Sequence, residues 1–305
     1  MTANTQAAFS PFQRERTRIE ELQRAWRSLA RSRLGLIGLF ILGLVVFAAL
    51  FADVVSPFSP TAQTLSDRLI APFSARALEK GHWLGTDHLG RDVLSRLIYG
   101  SRVSLIVGLL AVAISCVIGI LLGLVSGYWG GWIDDVIMRV GDVQLAFPFV
   151  LLVIAVVAVV GGGLWNEVIV IGITGWVGYA RVIRGQVFSA REKEYIEAAR
   201  CIGVRTPALL LKHILPNVIT PIIVLATFSV AGVIILEAAL TFLGLGVDPK
   251  TPTWGGMLAD GRSHIFTSWW MTFIPGMAIF VTVLSINLLG DWLRDYLDPE
   301  LRNVL

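Results

Sequence analysis

Very few side chains in this sequence are placed to do chemistry. Glu237 is the one ionisable residue that lies well inside a long apolar block. A charge in such a place is costly in lipid and by default marks a transport path or a buried partner. Two interpretations of Glu237 stay open: it faces a central pore and meets a charged end of a substrate, or it is neutralised by packing or by lying near the outer interface.

A second polar group, between two apolar blocks, has side chains that can ligate metals. His82, His88, Asp87 and Asp92 share no recognised ligand spacing, so we expect no metal site there. The sequence also contains no G-x-x-x-x-G-K-[ST] phosphate loop and no H-E-x-x-H pair. We therefore expect no catalytic residues and no cofactor on this chain, and ATP would have to be bound by another chain.

The composition indicates a membrane protein. The 305 residues are 55% hydrophobic and 15% charged, whereas soluble domains are about 25% charged, and the mean hydropathy is +0.73. Uncharged blocks run from Leu34 to Ala52 and from Val103 to Tyr128, and about 20 such residues cross the hydrocarbon core as a helix. The fold class is therefore all-α and polytopic, and the net charge of +3 reflects basic loops rather than binding of nucleic acid.

Six membrane spans are predicted. They are Leu34–Val55, Val103–Val125, Val143–Val160, Leu164–Ala180, Val218–Leu245 and Trp269–Leu289. The fourth is the weakest, because Asn166 and Glu167 lie near its start. Its glycines at positions 172, 175 and 178 recur every three residues, and small residues on one face let helix backbones approach closely in lipid.

The basic residues predict the orientation. With the N-terminus inside, the inner segments carry 17 of the 25 Lys and Arg residues and the outer segments carry 8. This excess predicts that both termini lie in the cytoplasm. Within the arm at 1–33, Ile19, Leu22, Trp26 and Leu29 recur at helical spacing among arginines. That pattern predicts a helix on the membrane surface, or alternatively a basic flank that only fixes the topology.

A group of charged residues before the third span is expected to have a structural role. Asp135, Arg139 and Asp142 fall on one helical face, at spacings of four and three residues. Asp135 and Arg139 could pair across one turn, and acidic residues suit the start of a helix.

The inner segment after the fourth span has the most informative spacing. It contains EYIEAARCIG at 194–203 and HILPN at 213–217. Small Ala198 and Ala199 permit close approach of a partner surface. Gly203 allows a sharp turn between two helical pieces, and Pro216 suits the first turn of the next helix.

This segment resembles the EAA motif of ABC importer permeases, which has EAA, three residues, Gly, and then an apolar-x-Leu-Pro ending nine residues later. A second segment, LGTDHLGRDVLSR at 84–96, resembles a signature of the C-type permeases of peptide and nickel uptake systems. Shorter similarities occur at 127–134, 145–148, 242–246 and 254–255, so the resemblance covers the chain from about Arg31 to Pro299.

The resemblance implies the fold of a type I ABC importer permease in the bacterial inner membrane. The implied regions are an arm at 1–33, the first span and an outer loop at 34–102, a permease core at 103–298 with a coupling loop at 194–216, and a tail at 299–305. The implied ATPase-coupling residues are Glu197, Ala198, Ala199, Gly203, Leu215 and Pro216. The signature residues of the outer loop are Gly85, Thr86, Asp87, Gly90, Arg91 and Asp92.

The implied function is uptake of dipeptides or oligopeptides through a pore shared with a second permease. The other implied partners are two ATPase subunits, which bind ATP and Mg²⁺, an extracytoplasmic solute-binding protein and the lipid bilayer. Nickel or another small solute is the alternative substrate. A stand-alone secondary carrier would usually show an internal repeat and several intramembrane charges, and a receptor or scaffold would need no spaced docking loop.

Overall fold

The computed structural model describes residue 20 and residues 23–298, and this part of the chain is helical, with one isolated β-bridge between Thr86 and Asp92. The helices that organise it are α1 (Arg33–Leu50), α2 (Val93–Trp129), α3 (Gly131–Leu145), α4 (Phe149–Val160), α5 (Leu164–Thr174), α6 (Trp176–Arg191), α7 (Glu194–Cys201), α8 (Thr220–Phe242), α9 (Trp254–Gly261) and α10 (Trp270–Leu297). Shorter helical pieces lie at Ala52–Val55, Leu65–Asp67, Ala75–Lys80, Thr206–Ala208, Leu209–Ile214, Leu215–Val218 and Arg262–His264.

Five helical stretches of the described chain are long and apolar enough to cross a membrane. They are α1, α2, α5 with α6, α8 and α10. Helices α3 and α4 pass the same test only together, as a broken span bent by 87°, and counting them gives six. The all-α polytopic class predicted from the sequence is thereby confirmed.

Helix boundaries differ from two of the predicted spans. The predicted third span crosses a break: Val143 lies inside α3, that helix stops at Leu145, and α4 starts after Pro148, because a proline disfavours helical geometry in the residue before it. The helix that contains the predicted second span begins ten residues before Val103. Its start is fixed by Asp92, which accepts a hydrogen bond from the Ser95 N–H at 2.7 Å and caps α2.

Close packing of α2 against α6 forms the centre of the bundle. Gly119, Gly123 and Gly127 recur every four residues along α2 and face α6. A Cβ added at Gly119 would lie only 2.4 Å from the Cβ of Tyr179. This stripe of small residues therefore lets the two backbones approach within a distance that larger side chains would prevent.

The predicted glycine stripe of the fourth span has two different environments. Gly172 and Gly175 pack against α2, where an added Cβ would meet Ile114 at 2.8 Å and Ser115 at 2.3 Å. Gly178 has no atom within 4 Å of its Cβ position. The first two glycines therefore serve helix packing, whereas the third opens onto free space.

Different parts of the protein lie at the two ends of α2. The long loop at 56–92 leads directly into the Val93 end of α2. At the other end, Arg191 donates to the Gly127 carbonyl at 3.1 Å, and the Arg200 guanidinium lies 5.2 Å from the Tyr128 ring centroid. A helix of 37 residues is about 55 Å long, so the loop and α7 lie on opposite sides of the bundle.

The N-terminal arm is described only in part. Residues 23–31 are helical, Trp26 is exposed and Leu29 is buried. The Trp292 indole lies 3.3 Å from the Ser28 hydroxyl, which joins this helix to α10. Ile19 and Leu22 lie outside the described residues, and the surface helix remains a prediction.

Candidate functional site

A sharp turn at Gly203 follows α7, in the segment that connects α6 to α8. Gly203 has a φ of +79°, a left-handed conformation that glycine adopts at little cost. Its N–H donates to the Arg200 carbonyl at 2.9 Å, and the Val204 N–H donates to the Ala199 carbonyl at 3.1 Å. No atom lies within 4 Å of the Gly203 Cβ position, so the glycine is required by the backbone conformation rather than by crowding.

The two alanines of α7 have different surroundings. Ala198 is exposed, but Ala199 is buried with Ile196 against Leu209 and Ile214 of its own chain. The small size of Ala199 therefore serves internal packing, which differs from the expectation that it faces a partner.

The exposed surface of this segment includes residues that the sequence reasoning missed. Ile202 is 81% exposed and Tyr195 is 42% exposed, and Glu197 is exposed beside them. Ile202 and Tyr195 therefore give this turn an exposed apolar edge. The signal was present in the sequence, because Ile202 is an apolar residue directly before the glycine.

A continuous run of helical pieces joins this turn to α8. Leu209–Ile214 is a π-helix, a form that often occurs at functional positions. Leu215 begins the next short helix and is half-buried, and Pro216 lies in its first turn. The backbone between α7 and α8 is therefore helical over most of its length.

At the opposite side, the six signature residues belong to the loop at 56–92, which the predicted orientation places outside and which is called the outer loop here. All six are buried. Gly85 and Gly90 have φ values of +77° and +74°, and a Cβ at Gly90 would lie 2.0 Å from the Thr64 carbonyl oxygen. Thr86 accepts a hydrogen bond from the Ile70 N–H at 2.9 Å. These residues therefore hold the loop in one folded shape.

Asp87 is the charged centre of this outer loop. Arg91 and Arg96 donate to its Oδ2 at 2.6 and 2.5 Å, and both arginines also reach Asp260, which lies in α9. Burial alone would raise the pKa of Asp87, but the two guanidinium charges together with the backbone N–H groups of Arg91 and Leu89 outweigh burial and lower that pKa. The network therefore ties the outer loop to α9.

His88, Asp87 and Asp260 offer ligand atoms within 4.8 Å of one another, as a metal site would. However, Oδ1 of Asp87 accepts the N–H groups of Leu89 and Arg91, and its Oδ2 accepts two arginines. His82 lies 3.0 Å from Asp92 instead. The donors are thus engaged in an ion-pair network, and the absence of a metal site stays a prediction.

The expected pairing of Asp135 with Arg139 is not among the ion pairs of the described chain. Both residues are exposed, and the ion pairs of the described chain are formed by other residues. Asp142 pairs with Arg181 of α6 at 2.6 Å, so contacts between helices are made in place of contacts along one helix.

Glu237 is fully buried between helices of its own chain. Its Oε2 accepts the Ser104 hydroxyl at 3.0 Å and its Oε1 accepts the Thr241 hydroxyl at 3.2 Å. Glu167, in the first turn of α5, is also fully buried and near enough to act electrostatically on Glu237. In the sequence alone, Glu167 is only a polar residue that weakens the prediction of the fourth span.

A cavity of about 480 Å³ lies where α2, α3, α4, α5, α6 and α8 meet. Its polar lining comes from uncharged side chains: Ser115, Gln144, Thr174, Tyr179 and Ser229. Leu236 and Ala239 line it, but their neighbour Glu237 does not. Whether Glu237 meets a substrate therefore stays a prediction, and in this conformation its carboxylate lies outside the cavity.

These features define a polytopic α-helical membrane protein, with an exposed helix–turn on one side and an ion-paired loop on the other. A sequence model described as the binding-protein-dependent transport system inner membrane component matches residues 119–303. A second, described as the N-terminal TM domain of oligopeptide transport permease C, matches residues 21–72, which extends the similarity about ten residues before Arg31. The chain belongs to this family of ABC importer permeases, and it is an inner-membrane protein.

Individual relatives cover nearly the whole chain. The di/tripeptide transport system permease protein DppC of Pseudomonas aeruginosa is 45% identical over 92% of this chain and 93% of its own length. The dipeptide transport system permease protein DppC of Bacillus subtilis is 40% identical over 94% and 88%. The glutathione transport system permease protein GsiD of Pectobacterium atrosepticum is 42% identical over 91% of each. The predicted resemblance to C-type permeases is confirmed.

Proposed function

We propose that this chain forms one half of the pore of an ATP-driven importer of short peptides, and that α7 and the turn at Gly203 couple it to ATPase subunits. The observation that supports the proposed coupling role is the exposed edge around Ile202. This edge is held by a buried core on its own chain and lies on the opposite side of the bundle from the outer loop.

The cavity favours peptides as the substrate. Its lining in the described chain includes no Asp, Glu, Lys, Arg or His, whereas nickel sites use imidazole, carboxylate or thiolate ligands. An apolar wall with a few hydroxyl and amide groups suits solutes with varied side chains. The printed names of the relatives, which include di/tripeptide, dipeptide and glutathione permeases, agree with this choice.

The complete importer would contain a second permease, two ATPase subunits that bind ATP and Mg²⁺, and an extracytoplasmic solute-binding protein. Closure of the ATPases would move α7, and the helical run from Leu209 to Val218 would carry this movement to α8, which lines the cavity. Access to the cavity would then alternate between the two sides of the membrane, with no covalent chemistry on this chain.

Co-purification tests the docking surface. Ile202→Asp places a charge on the exposed edge, so ATPase subunits should no longer co-purify with the permease. Leu78→Asp is the matched control, because Leu78 is an exposed apolar residue in the outer loop, and this variant should keep them. ATPase recovery equal to wild type with Ile202→Asp would contradict the docking role.

Uptake into proteoliposomes tests the substrate. The importer with its binding protein should accumulate a labelled dipeptide on addition of ATP, and excess unlabelled dipeptide should compete whereas Ni²⁺ should not. ATP-driven uptake of ⁶³Ni²⁺ with none of dipeptide would replace the peptide assignment and leave the coupling proposal intact.

A further inference from the structure

Among the described residues, the buried carboxyl group of Glu167 has no hydrogen-bond donor or cation beside it. Its side chain is fully buried, and neither carboxyl oxygen has a hydrogen-bond partner among the described residues. Its chain neighbour Val168 belongs to an apolar cluster from α2, α4, α5 and α8 that includes Val107, Val153, Val157 and Leu240. An ionised carboxylate in such a place loses its hydration without compensation.

The carboxyl group of Glu237 makes ionisation of Glu167 still less favourable. Glu237 is the titratable residue that acts on Glu167 among the described residues, and two neighbouring carboxylates repel each other. The start of α5 contributes a favourable helix dipole, but this effect is smaller than the loss of hydration of a buried ion. Since the subunit itself encloses Glu167, a second permease or a substrate cannot supply a counter-charge in this conformation.

The two carboxyl groups differ in their hydrogen bonds. Glu237 accepts hydroxyl protons from Ser104 on one oxygen and from Thr241 on the other, and donors of this kind stabilise the ionised form. Glu167 receives none. When two neighbouring acids have such different environments, they take different protonation states.

We propose that Glu167 and Glu237 form a proton-binding site between α5 and α8, in which Glu167 holds the proton as a neutral carboxylic acid and Glu237 is the group that can carry charge. The ligand is a proton, and the site is independent of the coupling role proposed for α7. Glu237 then serves as the hydrogen-bonded acid that can ionise beside a protonated one, a role that does not require contact with the substrate.

Infrared spectroscopy tests the protonation state directly. The assembled importer should show the C=O stretching band of a protonated carboxylic acid at neutral pH, and this band should be lost in Glu167→Gln. It should be retained in Glu237→Gln and in the control Glu79→Gln, since Glu79 is exposed in the outer loop. A wild-type spectrum without the band, or a band that Glu167→Gln leaves unchanged, would overturn the assignment.

Thermal unfolding of the same variants provides an independent check. Glutamine is close in shape to a neutral glutamic acid and carries no charge, so Glu167→Gln should keep the unfolding midpoint of the wild type. Glu167→Lys adds a buried charge and should lower the unfolding midpoint strongly. If Glu167→Gln lowers the midpoint as much as Glu167→Lys does, Glu167 is ionised with a counter-charge, and the proposal fails.

Discussion

Asp134 and Arg184 join α3 to α6 through a two-pronged ion pair. The Arg184 Nε lies 2.5 Å from Oδ1 of Asp134, and its Nη2 lies 2.5 Å from Oδ2. Asp134 also accepts the Ser126 hydroxyl of α2 at 2.5 Å. Three helices are thus fixed together on the side of the bundle that carries α7.

This ion pair should contribute more to stability than a neighbouring one. Arg184→Ala leaves the buried Asp134 without its partner, and we expect a loss of about 2 kcal/mol or more, below the ~3–5 kcal/mol of a fully buried pair because Arg184 is partly exposed. Arg184→Lys should not restore it, because lysine lacks the planar fork. Unfolding in detergent measures the difference.

The control for this prediction is Arg181→Ala. Arg181 and Asp142 form an ion pair that is about half exposed on both sides, and such pairs contribute about 0–1 kcal/mol. Equal destabilisation by Arg181→Ala and Arg184→Ala would show that burial of Asp134 does not strengthen its ion pair.

Filling the cavity should block uptake without unfolding the protein. Gly232 lines the cavity and has no atom within 4 Å of its Cβ position, so Gly232→Leu adds volume inside the cavity without a clash at Cβ. Gly43 in α1 is exposed and also has a free Cβ position, which makes Gly43→Leu the matched control. We expect dipeptide uptake to be lost only in Gly232→Leu, with equal membrane levels of both; normal uptake by Gly232→Leu would exclude this cavity from the path.

The outer loop should lose stability in acid because of Asp87. Its folded-state pKa lies below the value of about 3.9 for an unfolded chain. The ionised group therefore stabilises the fold above that value, and the contribution disappears as the pH falls through the folded-state pKa. Asp87→Asn should remove this pH dependence and lower stability by about 3 kcal/mol or more near pH 7, since two buried arginines lose a partner. The free energy of unfolding of the wild type and of Asp87→Asn, measured between about pH 7 and pH 3, tests this prediction. An identical dependence on pH in both proteins would contradict this role of Asp87.

Thiol labelling of intact cells tests the orientation. Cys201 is exposed at the end of α7 and should be protected from an impermeant maleimide until the cells are opened. A cysteine introduced at Glu79, exposed in the outer loop, should react at once. The reverse order of labelling would invert the topology inferred from the 17-to-8 distribution of basic residues.

The sequence predicted the class of the fold and the location of the coupling segment, because both depend on local patterns. Long apolar blocks indicate spans, and the glycine at 203 indicates a left-handed turn. The break at Pro148 was missed because mean hydropathy stays high across it. The proximity of Glu167 to Glu237 could not be predicted, since seventy residues separate them and only the shared packing of α2, α5 and α8 brings them near each other.

The direction in which Ala199 faces was also beyond sequence reasoning. Ala198 and Ala199 are adjacent small residues, and both are compatible with a partner surface. The core beneath α7, which includes Leu209 and Ile214, decides that Ala199 is the buried one. Ala199→Trp would therefore disrupt the subunit itself and cannot serve as a test of docking.

The measurement that tests the account most directly is ATPase activity of the reconstituted importer with a substitution at Gly203. Valine at a φ of +79° costs about 1–2 kcal/mol and is β-branched, whereas asparagine tolerates this conformation. We predict that Gly203→Val assembles in the membrane but loses both dipeptide uptake and the stimulation of ATPase activity by the loaded binding protein. Gly203→Asn should retain both. Full uptake and full stimulation in Gly203→Val would contradict the coupling role of this turn.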